Sequence, residues 1–290
     1  MKYIVYIFFR FLVFLFSLVP FPVLYFISDI LRFLLKHILR YRSQVIKKNI
    51  AYCFPELSEK KRLEIYNDFY KNFIDVILES IKGLSSDPVK LKNRYVLKNP
   101  EILTEHYKNN QSVIIFSQHF NNWEWGSITL GLQTSHHIIG IIKTISNGYI
   151  NQYMKEGRTG NNVSVCAAED TSKLFKAHDG VTKGIVFIAD QMPYRKGKHY
   201  NIDFFGKSTD FHKGGAIFAC AANYPAFSID IHRVARGRYE LELIELHPSP
   251  IEIGPESLTR LYVQNLERLI RHNPSNWLWS HKRFKKVIEY

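Results

Sequence analysis

The chain has 290 residues, enough for one large α/β domain or two smaller ones, and its 46% hydrophobic and 22% charged residues exclude an intrinsically disordered protein. Lys and Arg number 39 against 26 Asp and Glu, a formal charge of +13 that attracts polyanions of any kind: nucleic acid, anionic headgroups or an acidic carrier protein. Cys53, Cys166 and Cys220 are an odd set without paired short spacing, which speaks against a disulfide framework or a zinc site and fits a reducing compartment.

From Tyr3 to Leu35 the chain is almost continuously apolar, interrupted chiefly by Arg10, Pro20, Pro22, Asp29 and Arg32. A single spanning helix needs about 20 apolar residues, and 3–19 falls short with Arg10 inside it. No small-residue cleavage site follows, as a secretory signal would require. The expectation is therefore a helix embedded in or marginally crossing the bilayer, a break at Pro20–Phe21–Pro22, and an amphipathic helix from Val23 towards Leu39. Lys36, Arg40, Arg42, Lys47 and Lys48 follow, a cationic group suited to anionic headgroups. Residues 1–35 are accordingly assigned as a membrane-anchoring helical segment and 36–290 as the catalytic domain. Helices that merely pack in a soluble core are the alternative.

Leu63, Tyr66, Phe69, Phe73, Ile77 and Ile81 recur at helical spacing, with Ser58 as N-cap and Gly83 as stop. Strand-like runs at 113–116, 137–142, 163–167 and 185–189 then alternate with helix-like runs at 101–107, 123–132, 150–156 and 171–177. Such alternation predicts an α/β fold with a largely parallel sheet covered by helices. Residues 226–234 and 239–246 bracket a turn and read as a hairpin, and 258–271 as a final helix.

Chemistry concentrates in Ser117-Gln118-His119-Phe120-Asn121-Asn122-Trp123-Glu124, directly after the strand at 113–116. Ligands of open α/β sheets bind beyond the carboxyl ends of strands, so His119 stands where a reaction is expected. On one ideal helix, residues five apart are about 140° apart. His119 and Glu124 can meet only if His119 lies on the loop and Glu124 in the first helical turn, with Asn121 or Asn122 as N-cap. The carboxylate would then fix the imidazole tautomer and leave the other nitrogen as a base. A His and a Glu that simply cap the helix are the alternative. No nucleophile elbow is present, so direct attack by a substrate hydroxyl is preferred to a covalent intermediate.

His-x-x-x-x-Glu after a strand resembles the first motif of glycerolipid acyltransferases, and the flanking Asn-Trp-Glu resembles the late acyltransferases of lipid A biosynthesis. Tyr41-Arg42 with Lys48-Asn49 and Phe54-Pro55, Gly157-Arg158, Ala189-Asp190-Gln191 and Trp277–Phe284 resemble further segments of that subfamily, in order along nearly the whole chain. The resemblance implies transfer of a fatty acyl chain from acyl carrier protein to a hydroxyl of a lipid A precursor. It also implies the cytoplasmic face of an inner membrane, with that leaflet, the carrier protein and the lipid acceptor as partners. His119 would be the general base and Glu124 its orienting partner. Arg158 would meet substrate or donor phosphate, for which an arginine fork is suited. Asp190 and Gln191, after a predicted strand, would border the cleft and position the acceptor or hold a neighbouring cation. Lys213 beside His212 and the basic run Arg195, Lys196 and Lys198 are further candidates for an anionic substrate.

The Glu-Gly-Thr-Arg segment of glycerolipid enzymes is absent, which argues against a glycerol-phosphate acceptor. Another glycolipid, an aminolipid or a pigment precursor remains an alternative acceptor, and a thioesterase using the same dyad an alternative reaction. No cofactor is expected. No metal is expected either, because His119 and Glu124 lack a second histidine at helical spacing and the adjacent His136 and His137 would point to opposite faces of a strand. Nucleic acid is not expected as a partner, since no nucleic-acid motif accompanies the charge.

Overall fold

The computed structural model describes residues 1–177, 179–193 and 199–290, so the candidates Arg195, Lys196 and Lys198 lie outside the described residues. The chain opens with helices α1 (Lys2–Leu18) and α2 (Phe21–Phe33), the latter running into a π-helical turn at Leu34–Ile38. Then come α3 (Ser43–Cys53), α4 (Glu59–Gly83), α5 (Pro88–Lys92), strand β1 (Tyr95–Leu97) and α6 (Glu101–Lys108). The central stretch alternates β2 (Val113–Ser117), α7 (Trp123–Thr129), β3 (His137–Ile142), α8 (Gly148–Gly157), β4 (Val163–Ala167), α9 (Thr171–Lys176) and β5 (Lys183–Ile188). A separate antiparallel pair, β6 (His199–Asp203) and β7 (Ser208–His212), precedes α10 (Gly214–Ala222), the hairpin β8 (Ala226–Ala235) and β9 (Arg238–His247), and α11 (Gly254–His272).

Seven strands form one sheet in the order β1-β9-β8-β2-β5-β3-β4. Every neighbouring pair is parallel except the β8–β9 hairpin, as the alternation of strand and helix runs predicts. Strand β2 is buried at all five positions. Its alternate side chains feed two cores: Ile114 and Phe116 join one, shared with α3, α4, α10 and α11, while Val113 and Ile115 join the other, beneath α5, α6 and α7. That double coverage places the carboxyl end of β2, and the loop after it, at the centre of the molecule.

Helix α4 organises the N-terminal half. Ser58 caps it by accepting a hydrogen bond from the Lys61 N–H, as expected. Gly83 does close the helix, but its lack of a side chain serves a close approach: a Cβ there would stand 2.8 Å from Trp125 Nε1. Helices α3 and α10, strand β1 and the β6–β7 pair had no periodic signal strong enough to predict; α10 is all small and apolar residues, and β1 has three residues.

The N-terminal segment is helical with a break, which falls at Val19–Pro20 rather than across Pro20–Phe21–Pro22, because Phe21 and Pro22 already open α2, where proline is tolerated; no helix among the described residues is long and apolar enough to cross a membrane. Its two helices are not equivalent. Helix α1 meets α8 through rings, with Tyr6 stacked on Tyr149 and Phe9 edge-on to Tyr153, and meets α4 through Phe16 and through the Lys82 ammonium, which donates to the Phe16 and Ser17 carbonyls. Helix α2 is built in: Leu24 packs with Ile74 and Leu78 of α4, and Ser28 donates to Asp75 at 2.6 Å. Asp75, fully buried, also takes Arg233 and Arg236 from the β8–β9 hairpin, each at 2.6 Å, and Arg236 reaches back to Asp29. A boundary at residue 35 therefore cuts through a network joining α2, α4 and the sheet. Ile4, Phe8, Phe11, Leu15, Val23, Phe26, Ile30 and Phe33 remain exposed along the two helices.

Breaking a buried ion pair by removing one partner strands the remaining charge and costs about 3–5 kcal/mol. Asp75→Ala is expected to lose stability on that scale in chemical denaturation of the detergent-solubilised protein, whereas deletion of 2–18 should leave a folded chain. A loss below about 1 kcal/mol for Asp75→Ala would contradict the network's role.

Candidate active site

His119 lies two residues beyond β2, and Asp190 two residues beyond the adjacent parallel strand β5. Ser117 pairs with Ile188 across that boundary, and the Ala189 N–H donates to the Ser117 carbonyl at 3.1 Å. Pairing in register thus delivers an imidazole and a carboxylate to one point. His119 Nδ1 and Asp190 Oδ1 are 2.7 Å apart, and the His119 backbone N–H donates to Asp190 Oδ2 at 3.0 Å. A third donor, the indole N–H of Trp277, meets the same Oδ2 at 2.8 Å.

Asp190 is 2% exposed. Burial by itself raises a carboxyl's pKa, but the His119 charge and the three donors outweigh it and hold Asp190 below the usual carboxylate range. An ionised acceptor on Nδ1 fixes the proton there and leaves Nε2 as the basic nitrogen. The Gln191 amide nitrogen stands 3.1 Å from that Nε2, so Gln191 covers the position an incoming hydroxyl would take. Trp123 packs edge-on against the ring at 4.9 Å between centroids.

The hydrogen bond expected between His119 and Glu124 is not formed. Glu124 sits in the first turn of α7, as the spacing argument required, but its carboxylate meets Arg158 at 2.6 Å. Arg158 is the C-cap residue of α8, so this pair ties α7 to α8. Two candidate residues that the sequence had treated separately, Glu124 and Arg158, thereby form one unit, and Asp190, cast as a cleft residue, occupies the place assigned to Glu124. The reason is topological: Asp190 is reached through a neighbouring strand, a proximity that no helical spacing encodes. Lys213 occupies the N-cap position of α10 without a side-chain cap, its ammonium 5.8 Å from the Tyr200 ring centroid.

A shell of which the sequence had indicated only the Asn cap of α7 holds the loop in place. Asn122 caps α7 by accepting from the Trp125 N–H, and its amide donates to Glu79 of α4 at 2.9 Å. Glu79 also receives Tyr239 at 2.7 Å and Tyr25 at 3.0 Å, and burial raises its pKa despite those donors. Asn121 adopts a left-handed backbone, with its N–H on the Asn276 carbonyl and its amide on the Ile231 carbonyl at 2.6 Å. The C-terminal strap completes the wall, since Phe120 bridges Trp277 and the Leu278 N–H donates to the His119 carbonyl at 3.0 Å. Trp277 lies 87 residues from Asp190, and the sequence marked it only as part of the Trp277–Phe284 segment, not as a partner of Asp190. Behind the strap, burial lowers the His281 pKa to about 4, which keeps that imidazole neutral beside Met192. Among the described residues, no three His, Cys, Asp or Glu side chains converge as metal ligands.

The arrangement is an imidazole held by a buried carboxylate at the carboxyl edge of a parallel sheet, and among the described residues no serine or cysteine side chain hydrogen-bonds it. The sequence matches the bacterial lipid A biosynthesis acyltransferases over residues 1–286. It is 24% identical over 276 residues to the lipid A biosynthesis lauroyltransferase of Escherichia coli K12, covering 92% of this chain and 86% of that one. It is 21% identical over 271 residues to the palmitoleoyltransferase of the same organism, with the same coverage. Among solved structures, the 1-acyl-sn-glycerophosphate acyltransferase of Thermotoga maritima aligns with 86% of this chain and 99% of its own at 15% identity, with a TM-score of 0.36. Matched along nearly its whole length, the chain belongs to the bacterial lipid A biosynthesis acyltransferase family and is an acyltransferase.

Proposed function

We propose that the protein moves a fatty acyl chain from acyl carrier protein to a hydroxyl of a lipid A precursor at the cytoplasmic face of the inner membrane, with His119 as the base. The observation that carries the chemistry is the 2.7 Å contact between His119 Nδ1 and the buried Asp190, because it leaves Nε2 available to take a proton. The acceptor hydroxyl displaces Gln191 from Nε2 and attacks the thioester carbonyl carbon as Nε2 removes its proton. A C–O bond forms, the tetrahedral intermediate collapses with loss of the C–S bond, and the imidazolium returns its proton to the departing thiolate. Asp190 stabilises the imidazolium through both steps. No cofactor enters this scheme.

Glu124 acts through Arg158 in this reading. Its carboxylate takes one guanidinium nitrogen, Nη2. The rest of the fork is left for an oxyanion of donor or acceptor. Membrane contact is supported by the exposed apolar side chains along α1 and α2. The charge of +13 suits an acidic carrier protein.

His119→Ala is expected to lower kcat by about 10²–10⁴-fold. Asp190→Asn should be of similar severity, and the double variant should resemble the worse single, because both changes disable one unit. Glu124→Gln and Arg158→Met should form a second non-additive pair. Acyl transfer is followed by mass spectrometry of the lipid product, with free fatty acid counted separately to expose hydrolysis. Near-normal transfer by His119→Ala would overturn the mechanism, and equal fatty acid release with and without acceptor would make the protein a thioesterase.

Steering between opposite charges weakens as salt screens it. The apparent second-order rate with acyl carrier protein as donor should therefore fall as ionic strength rises, with acyl coenzyme A the poorer donor throughout. Equal use of the two donors at every salt concentration would remove the carrier from the scheme.

A further inference from the structure

Between the end of α2 and the start of α3 lies a concavity of about 410 Å³ whose lining includes Lys36, Arg40, Arg42 and Lys47 and contains no Asp or Glu. Like charges brought together repel, so four cations in one hollow call for a counter-charge. None is supplied within the chain: among the described residues no carboxylate is ion-paired with any of the four. Arg42 donates to the Ser280 carbonyl at 3.0 Å and Lys47 lies over the Tyr66 ring, both neutral partners. Arg40 and Arg42 both hold left-handed backbone, at φ of 47° and 51°, a conformation that side-chain-bearing residues seldom adopt.

The floor of the hollow is the first turn of the eleven-residue α3, where Ser43 and Ile46 donate their N–H groups to the carbonyls of Arg40 and Arg42. The N–H groups of Gln44 and Val45, both in the lining, have no acceptor among the described residues. Two free backbone donors at a helix N-terminus, under four unpaired cations, are what an anionic group with several oxygens requires.

Two neighbouring features narrow the ligand. Phe33, Ile38 and Leu39 are 58%, 62% and 68% exposed beside the cations, so an acyl-bearing molecule has apolar surface to lie on. On the other side Arg42 grips Ser280, two residues beyond Leu278, whose N–H donates to the His119 carbonyl at 3.0 Å. The hollow thus adjoins both an apolar surface and the wall of the catalytic loop. We propose that it binds a phosphate monoester of the lipid acceptor and so sets which hydroxyl reaches His119. This assignment rests on the lipid acceptor proposed above.

The test compares wild type with Lys36→Gln/Arg40→Asn, asparagine being chosen because it tolerates left-handed backbone. Binding of a phosphorylated glucosamine-disaccharide lipid and of its phosphatase-treated form is measured by calorimetry in detergent micelles, alongside transfer kinetics. The double variant should raise Kd and KM for the phosphorylated lipid by roughly tenfold or more with kcat nearly unchanged, and should not alter binding of the treated form. Unchanged affinity for the phosphorylated lipid, or an equal loss on both lipids, overturns the proposal. Variants that lose binding to phosphatidylglycerol vesicles while keeping their micellar Kd would assign the hollow to bilayer headgroups instead. Inorganic phosphate that binds as tightly as the lipid would make it a free-anion site. Wild-type binding of the phosphorylated lipid without any acyl transfer would sink the acceptor reading while leaving the phosphate site measured.

Discussion

The buried carboxylate of Asp190 is the constraint on which the site depends. A charge with 2% exposure is tolerable only if it is fully hydrogen-bonded, and its partners come from two separated parts of the chain. His119 arrives on the loop after β2, Asp190 itself after β5, and Trp277 on the C-terminal strap. Satisfying that one anion therefore requires the parallel pairing of β2 with β5 and the docking of the last residues against the loop. The same bonds that lower the cost of burial orient the imidazole, so folding and the proposed catalysis draw on one interaction.

Around this centre the structure repeats the device of a buried acid holding distant elements. Glu79 ties α4 to the cap of α7 through Asn122 and to β9 through Tyr239. Asp75, one turn earlier on α4, ties α2 to the β8–β9 hairpin. Both lie on one helix face, and both reach the sheet side that carries the catalytic loop. Helix α4 is thus the beam against which the N-terminal helices, the hairpin and the loop are aligned. Helix α2 is tied to that beam by Ser28 on the buried Asp75, and α1 rests on it through Phe16 and the Lys82 ammonium.

Much of this was legible in the sequence, for identifiable reasons. Strands β2, β3 and β4 are short apolar runs bounded by turn residues, and Ser58 before a helical stripe marks the start of α4. His119 was legible because it follows such a strand. Its partner was not, because Glu124 is near in sequence and Asp190 is near only through strand pairing. The Glu124–Arg158 pair, 34 residues apart, and the Trp277–Asp190 bond are hidden for the same reason. Basic residues at 36–47 could be read as a patch, but the hollow they line is created by the chain reversal between α2 and α3, which periodicity does not describe.

The central claim is that Asp190 fixes the proton of His119 on Nδ1. Nitrogen-15 NMR of the histidine-labelled protein in micelles, with His119→Gln to assign the signals, reads this directly. A neutral His119 should show a protonated Nδ1 and an unprotonated Nε2, and Asp190→Asn should scramble that pattern while Glu124→Gln leaves it intact. A wild-type His119 with its proton on Nε2, or a tautomer that changes with Glu124 and not with Asp190, would contradict the account.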